Sequence, residues 1–147
     1  MKHVALALLL VFASCTTTSY DDTRLDHVMI GVSDLETFTL RTHKYERHYT
    51  SHLVAPWPER RDLYRARSPL HAANRIAKPL LVAQGLDDHV VLPEQATGIV
   101  EALRARKVPV VYLEFEGEGH GFVRSETLVS CLESSLAFVA RVFGIES

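Results

Sequence analysis

Two short polar clusters hold the residues best suited to chemistry: "GLDDHV", Gly85 to Val90, and "GEGHGF", Gly117 to Phe122. Each closes an apolar run. The second sets His120 between two small residues, Gly119 and Gly121, where ordinary packing has no use for a lone imidazole. The first supplies two adjacent acids, Asp87 and Asp88. A histidine beside a carboxylate is a general base: the ring takes a proton from a hydroxyl, and the acid fixes its tautomer and stabilises the imidazolium formed. The flanking glycines allow a tight turn that aims the ring at a cleft. Other clusters carry less. His48 and His52 are four apart, as two metal ligands on one helix face would be, but no third ligand stands at a recognisable spacing. "GEGHG" lacks the G-x-G-x-x-G spacing of a dinucleotide loop, so no cofactor is expected.

The elements that must position these clusters are legible from periodicity. Pro79 introduces "LLVAQG", a continuous apolar run of the kind that forms a strand buried on both faces. Pro93 opens a helix with Ala96, Ile99, Val100 and Leu103 at core spacing and basic residues near its end. Pro109 begins a second strand, "VVYLEF". The last helix is expected from about Glu126 to Phe143, with Ser125 as cap, Gly144 as stop and Leu128, Leu132, Leu136, Val139 and Phe143 as its buried stripe. Upstream, Glu36 to His52 reads as one polar helix with Phe38, Tyr45 and Tyr49 along one face. Pro56 and Pro58 break that helical pattern, and Pro69 starts a short helical turn. Strand, helix, strand, helix predicts an α/β fold with a parallel sheet, whose functional residues sit just past the carboxyl ends of the strands. Both polar clusters fall there.

At 147 residues the chain fits one domain, and a net charge of −2 with 47% hydrophobic residues excludes a disordered or nucleic-acid-binding chain. Between Arg41 and Arg67 seven basic residues face three acids, which predicts a solvated, salt-bridged surface; an anion or substrate-carboxylate site is the alternative. The amino terminus, "MKHVALALLLVFASC", has the order of a secretory signal: a charged start, nine apolar residues and small residues before Cys15. Nine residues are too few to span a bilayer, which takes about 20. "FASC" resembles a bacterial lipoprotein box and marks Cys15 as the lipidation site, although Phe12 stands where leucine is usual. The expected division is therefore a signal segment at 1–15, a tether at 16–30 and a catalytic portion at 31–147. Export, with membrane attachment only through the lipid, follows from it. Cys131 then has no disulfide partner and sits as a small apolar residue on the last helix.

An acid after one strand and a histidine after the next is the arrangement of an α/β-hydrolase, whose triad runs Ser, Asp, His along the chain. "GVSDLETFTLRTHKYERHY", "PERRDLYRARSPLHAANRIAKPLLVAQGLDDHVV" and "VYLEFEGEGHGFVR" also resemble, in order, the carboxyl-terminal part of the prolyl oligopeptidase family, in particular its acylaminoacyl and dipeptidyl aminopeptidases. The resemblance covers about Gly31 to Gly144. It implies a partial α/β-hydrolase fold, a peptide substrate, Asp88 as the triad acid and His120 as the triad base. Asp87 is the alternative acid.

The departure from that family is as informative as the match. Its nucleophile lies in a G-x-S-x-G elbow, and of the seven glycines here only Gly117 and Gly121 are four apart, with Gly119 between them. Ser14, Ser19 and Ser33 lack the strand-to-helix turn that a nucleophile needs. Three functions are compatible with this. The chain is the acid–base remnant of a secreted serine peptidase, inactive alone; or a lipid-anchored binding or partner protein; or half of a split hydrolase whose serine comes from a complementary fragment. An uncovered inner edge on "LLVAQ" is expected to promote self-association.

Overall fold

The computed structural model describes residues 28–29, 31–42 and 48–145. Among the described residues three parallel strands form the sheet in the order β1 (Val28–Met29), β2 (Leu80–Gly85), β3 (Val110–Phe115). Strand β2 is buried along its whole length, as its unbroken apolar run requires, and pairs with β3 from Leu80↔Val110 to Gly85↔Phe115. The two clusters of interest therefore leave the sheet side by side. Val28 and Met29, expected to belong to the tether, instead pair with Leu81 and Val82. The inner edge expected to be bare is thus partly covered, and the open edge passes to β1, beyond which no strand lies among the described residues.

The segment before β2 is more broken than its polarity suggests. In place of one helix over 36–52 there are two, α1 (Leu35–Arg41) and α2 (Tyr49–Leu53); Tyr45 lies outside the described residues. Helix α1 stops because Thr42 turns extended, and it starts on Asp34, whose carboxylate accepts the Glu36 N–H at 3.0 Å. Helix α3 (Arg61–Ala66) comes after the prolines, and Pro69 does open a helical turn, a 3₁₀ helix over Pro69–Arg75. Glu36 is buried against Arg61 and Arg65, and Arg60 pairs with Asp62 and Arg41 with Glu94. These basic residues make the salt-bridged surface expected of them; Lys44 and Arg47 lie outside the described residues.

Helix α4 (Pro93–Ala105) carries the crossover from β2 to β3. Pro93 sits in its first turn, and Ala96, Ile99, Val100 and Leu103 are all buried. They pack on Leu80 and Val82 of β2 and on Ala73 and Val108, with Leu70, Ile76, Val110 and Tyr112 around them. Fully burying side chains such as Ile99 and Leu103 contributes about 1.5–3 kcal/mol each. Leu103→Ala would open the centre of this core at a cost of about 2–5 kcal/mol.

Helix α5 (Ser125–Phe143) ends at Gly144, whose φ of 63° is the left-handed cap that glycine allows. Its buried side is only partly the expected one, with Val139 and Phe143 half-buried. Thr127 and Phe138 are buried and Cys131 half-buried, whereas Leu128, Val129, Leu132 and Leu136 are 50–63% exposed. The richest apolar arc of the helix is thus its exposed one. Cys131 is a free cysteine, and burial pushes its thiol up, in keeping with a small apolar role. Ser125 is the first helical residue and not the cap.

Candidate active site

At the end of β2 the chain turns sharply back towards β3. The Leu86 N–H donates to the Phe115 carbonyl at 3.0 Å, the Asp87 N–H to the Glu118 carbonyl at 2.9 Å, and the Asp88 N–H to the Gly85 carbonyl at 3.3 Å. This turn leaves Asp87 exposed and points Asp88 inward, its side chain 5% exposed. One carboxylate oxygen of Asp88, Oδ1, accepts the N–H groups of Val90 at 2.8 Å and Val91 at 2.9 Å. The other, Oδ2, lies 3.0 Å from Nδ1 of His120. Three donors therefore satisfy a buried carboxylate that would be costly to leave unpaired. Of the two acids, it is Asp88 whose carboxylate lies within hydrogen-bond distance of the ring.

His120 stands at the head of the loop after β3, where Gly119 and Gly121 form an antiparallel bridge. Gly121 has φ +92°, a conformation that side-chain-bearing residues avoid, while the second positive φ of the loop belongs to Gly117 and not to Gly119. The ring is held at one nitrogen and is half exposed, at 52%. With a carboxylate acceptor at Nδ1, the neutral ring carries its proton there and presents Nε2 as an acceptor. Gln84, Gly85, Asp88, Gly119, Gly121 and Phe122 line a small recess beside it, and Phe122 is fixed edge-on against Phe115 at 5.0 Å. The arrangement is a half-exposed imidazole oriented by a buried carboxylate at the end of the sheet.

Two residues that hold this geometry are not singled out by the sequence. Gly85 is one. A Cβ there would come within 2.4 Å of the Glu118 carbonyl and 2.7 Å of that of Gly119, so the histidine loop rests directly on its backbone. The other is Glu118, fully buried two residues before His120. Its carboxylate accepts the Val123 N–H at 2.9 Å and the Arg124 N–H at 3.1 Å. The Val123 N–H, then the Thr127 hydroxyl and the Arg124 N–H, hold its carboxyl below the usual range, against burial that pushes it up. The close repeat of glycines around Glu118 is the only sequence signal of its setting.

The remaining sequence candidates stay apart from this site. His48 and His52 are exposed at helix α2, and no group of three potential metal ligands occurs among the described residues. Ser33 is wholly buried, its hydroxyl donating to the Gln95 carbonyl at 2.5 Å and its N–H to Gln95 Oε1 at 3.0 Å. Cys15, Ser14 and Ser19 lie outside the described residues.

A parallel sheet with crossover helices, carrying an acid after one strand and a hydrogen-bonded histidine after the next, defines part of an α/β-hydrolase. Residues 28–146 match the model of the prolyl oligopeptidase family, and the chain belongs to that family. A dipeptidyl aminopeptidase BIII from Pseudoxanthomonas mexicana is 41% identical over 78 residues, which is 53% of this chain and 11% of that protein. The solved structure of a Mycobacterium tuberculosis puromycin-hydrolyzing peptidase superimposes with a TM-score of 0.77 at 45% identity, over 79% of this chain and 18% of that one. An acylaminoacyl peptidase, 21% identical with a TM-score of 0.67, shares the fold. The chain thus spans between a tenth and a fifth of the length of these relatives.

Proposed function

We propose that this chain is the acid–base portion of a serine peptidase acting on short peptides, silent alone and active when a second segment supplies the nucleophile. The observation that carries this is the bond between Asp88 Oδ2 and His120 Nδ1, complete in a chain whose sequence has no G-x-S-x-G. In the reaction Nε2 of His120 takes the proton of the incoming serine, and Asp88 holds the ring and stabilises its charged form. The oxyanion donors, one of which follows the nucleophile, come with the second segment.

That segment, a complementary piece of the same catalytic domain, seats on the open edge of β1 and the uncovered stripe of α5. In the larger relatives these same elements are a fifth or less of the chain, which supports this occupant. The names of those relatives, a dipeptidyl aminopeptidase and a puromycin-hydrolyzing peptidase, direct the choice of substrates. Residues 1–15 act as an export signal, with Cys15 acylated at the periplasmic membrane. Detergent phase partitioning of the wild type and Cys15→Ser tests that part, and equal recovery of both in the aqueous phase would refute it.

The test of the catalytic reading is co-expression with a fragment carrying a family nucleophile elbow, followed by assay on aminoacyl-chromogenic amides and on puromycin. Hydrolysis by the pair, absent from either piece, is expected. His120→Ala should abolish it and Asp88→Asn should reduce it by about 10⁴, the size of the effect in serine-protease triads. A pair whose hydrolysis survives His120→Ala would refute the assignment.

A further inference from the structure

The loop that presents His120 is closed by the side chain of a residue within it. Glu118 reaches forward past His120 to the backbone N–H groups of Val123 and Arg124, at 2.9 Å and 3.1 Å, where the chain enters α5. Its own carbonyl meanwhile accepts the Asp87 N–H at 2.9 Å. The backbone of this one residue is therefore tied to the turn that carries Asp88, and its side chain to the start of α5. His120 lies between these two anchors. The Arg124 guanidinium adds a third tie, donating to the Glu116 carbonyl at 3.0 Å. A fully buried carboxylate is costly unless its lone pairs are filled. Its donors here come from the loop it encloses, so opening the loop would strand it.

We propose that Glu118 is a positioning residue for His120, holding the loop so that Nδ1 stays on Asp88 Oδ2. It touches neither substrate nor reacting atom. Hydrogen bonds from the Val123 and Arg124 N–H groups favour its anionic form, at the positive end of a long helix. The proposal rests on the reading of His120 as general base only for its functional meaning. The geometry it asserts is measurable without turnover.

The test is nitrogen-15 spectroscopy of the uniformly labelled full chain in mildly alkaline buffer, for the wild type, Glu118→Ala, Glu118→Gln and the core control Leu103→Ala. In the wild type His120 should appear as the single tautomer protonated at Nδ1. In Glu118→Ala it should become a tautomer mixture, and the Val123 and Arg124 amides should exchange about tenfold to a hundredfold faster, as for the loss of bonds to a charged acceptor. Glu118→Gln keeps an acceptor and the volume but turns one arm into a donor facing an N–H, so it should be intermediate. It also decides the matter if the alanine variant does not fold. Leu103→Ala, a purely structural lesion, should leave the tautomer unchanged while folded. A folded Glu118 variant that keeps the wild-type signature would overturn the proposal and leave the dyad intact. A wild type already mixed would instead overturn the dyad.

Discussion

Asp88 and His120 are 32 residues apart in sequence and 3.0 Å apart in space. Their strands run in register, Gly85 opposite Phe115, and each side chain emerges a few residues beyond that last pair. Two strands and their loops are enough to build the contact. Everything it needs is local to β2, β3 and the turns after them.

The first consequence is for stability. Asp88→Ala removes the acceptor of the Val90 and Val91 N–H groups and of His120, and should cost about 1–3 kcal/mol as buried donors go unpaired. Asp87→Ala alters an exposed side chain and should stay within about 0.5 kcal/mol of the wild type. Urea denaturation of both variants checks this, and equal losses would contradict it.

Glycine substitutions should separate just as clearly. Gly85→Ala would drive a methyl into the Glu118 and Gly119 carbonyls, forcing a shift that costs about 1–3 kcal/mol. At Gly98, inside α4, the new methyl meets only Leu70, at 3.6–3.8 Å, an ordinary contact. Gly98→Ala should raise stability by about 0.5–1 kcal/mol through helix propensity. Thermal melts of the two variants should shift in opposite directions.

Glu118 gives a pH dependence whose sign is fixed. Its carboxyl is lower in the folded chain than in the unfolded one, for which the ordinary value is about 4.3. Its contribution is therefore full above about pH 4.3 and is lost as pH falls through the lower folded value. The stability difference between the wild type and Glu118→Gln should be constant near neutrality and shrink on acidification below about pH 4. A difference that holds constant throughout acid titration of the folded chain would contradict this.

The uncovered stripe of α5 makes the opposite prediction to a core. Leu132 is 63% exposed, so Leu132→Glu should change the stability of the isolated chain by no more than about 0.5 kcal/mol. It should reduce self-association, because a half-exposed leucine row is an association surface, and it should weaken capture of the complementary fragment. Sedimentation of both proteins tests the first effect and fragment titration the second. A stability loss of several kcal/mol would show that the stripe is already covered.

How much of the molecule is legible in its sequence depends on the range of the interaction involved. Strand β2, helix α4, the Pro69 turn and the Gly144 stop are legible because they rest on periodicity, proline and glycine within a few residues. The two clusters that hold Asp88 and His120 are legible because polar residues ending apolar runs have few structural uses, while Asp88 is preferred to Asp87 only through the family resemblance. The buried side of α5 is not, since periodicity shows that a helix has an apolar face but not which surface meets it. Val28 and Met29 escape notice because a strand of two residues has no period, and only pairing with Leu81 and Val82 defines it. Gly85 and Glu118 are hidden for a related reason: their importance lies in a backbone approach between two loops.

The proposal that His120 is the general base for a serine supplied by another segment is tested most directly by intact mass after fluorophosphonate treatment, first of this chain alone and then of the chain with a nucleophile-bearing fragment. No adduct is expected on this chain in either case. One adduct is expected on the fragment serine when the wild type is present, and none when His120→Ala replaces it. A stoichiometric adduct on any serine of the isolated chain, or fragment labelling indifferent to His120, would contradict that assignment.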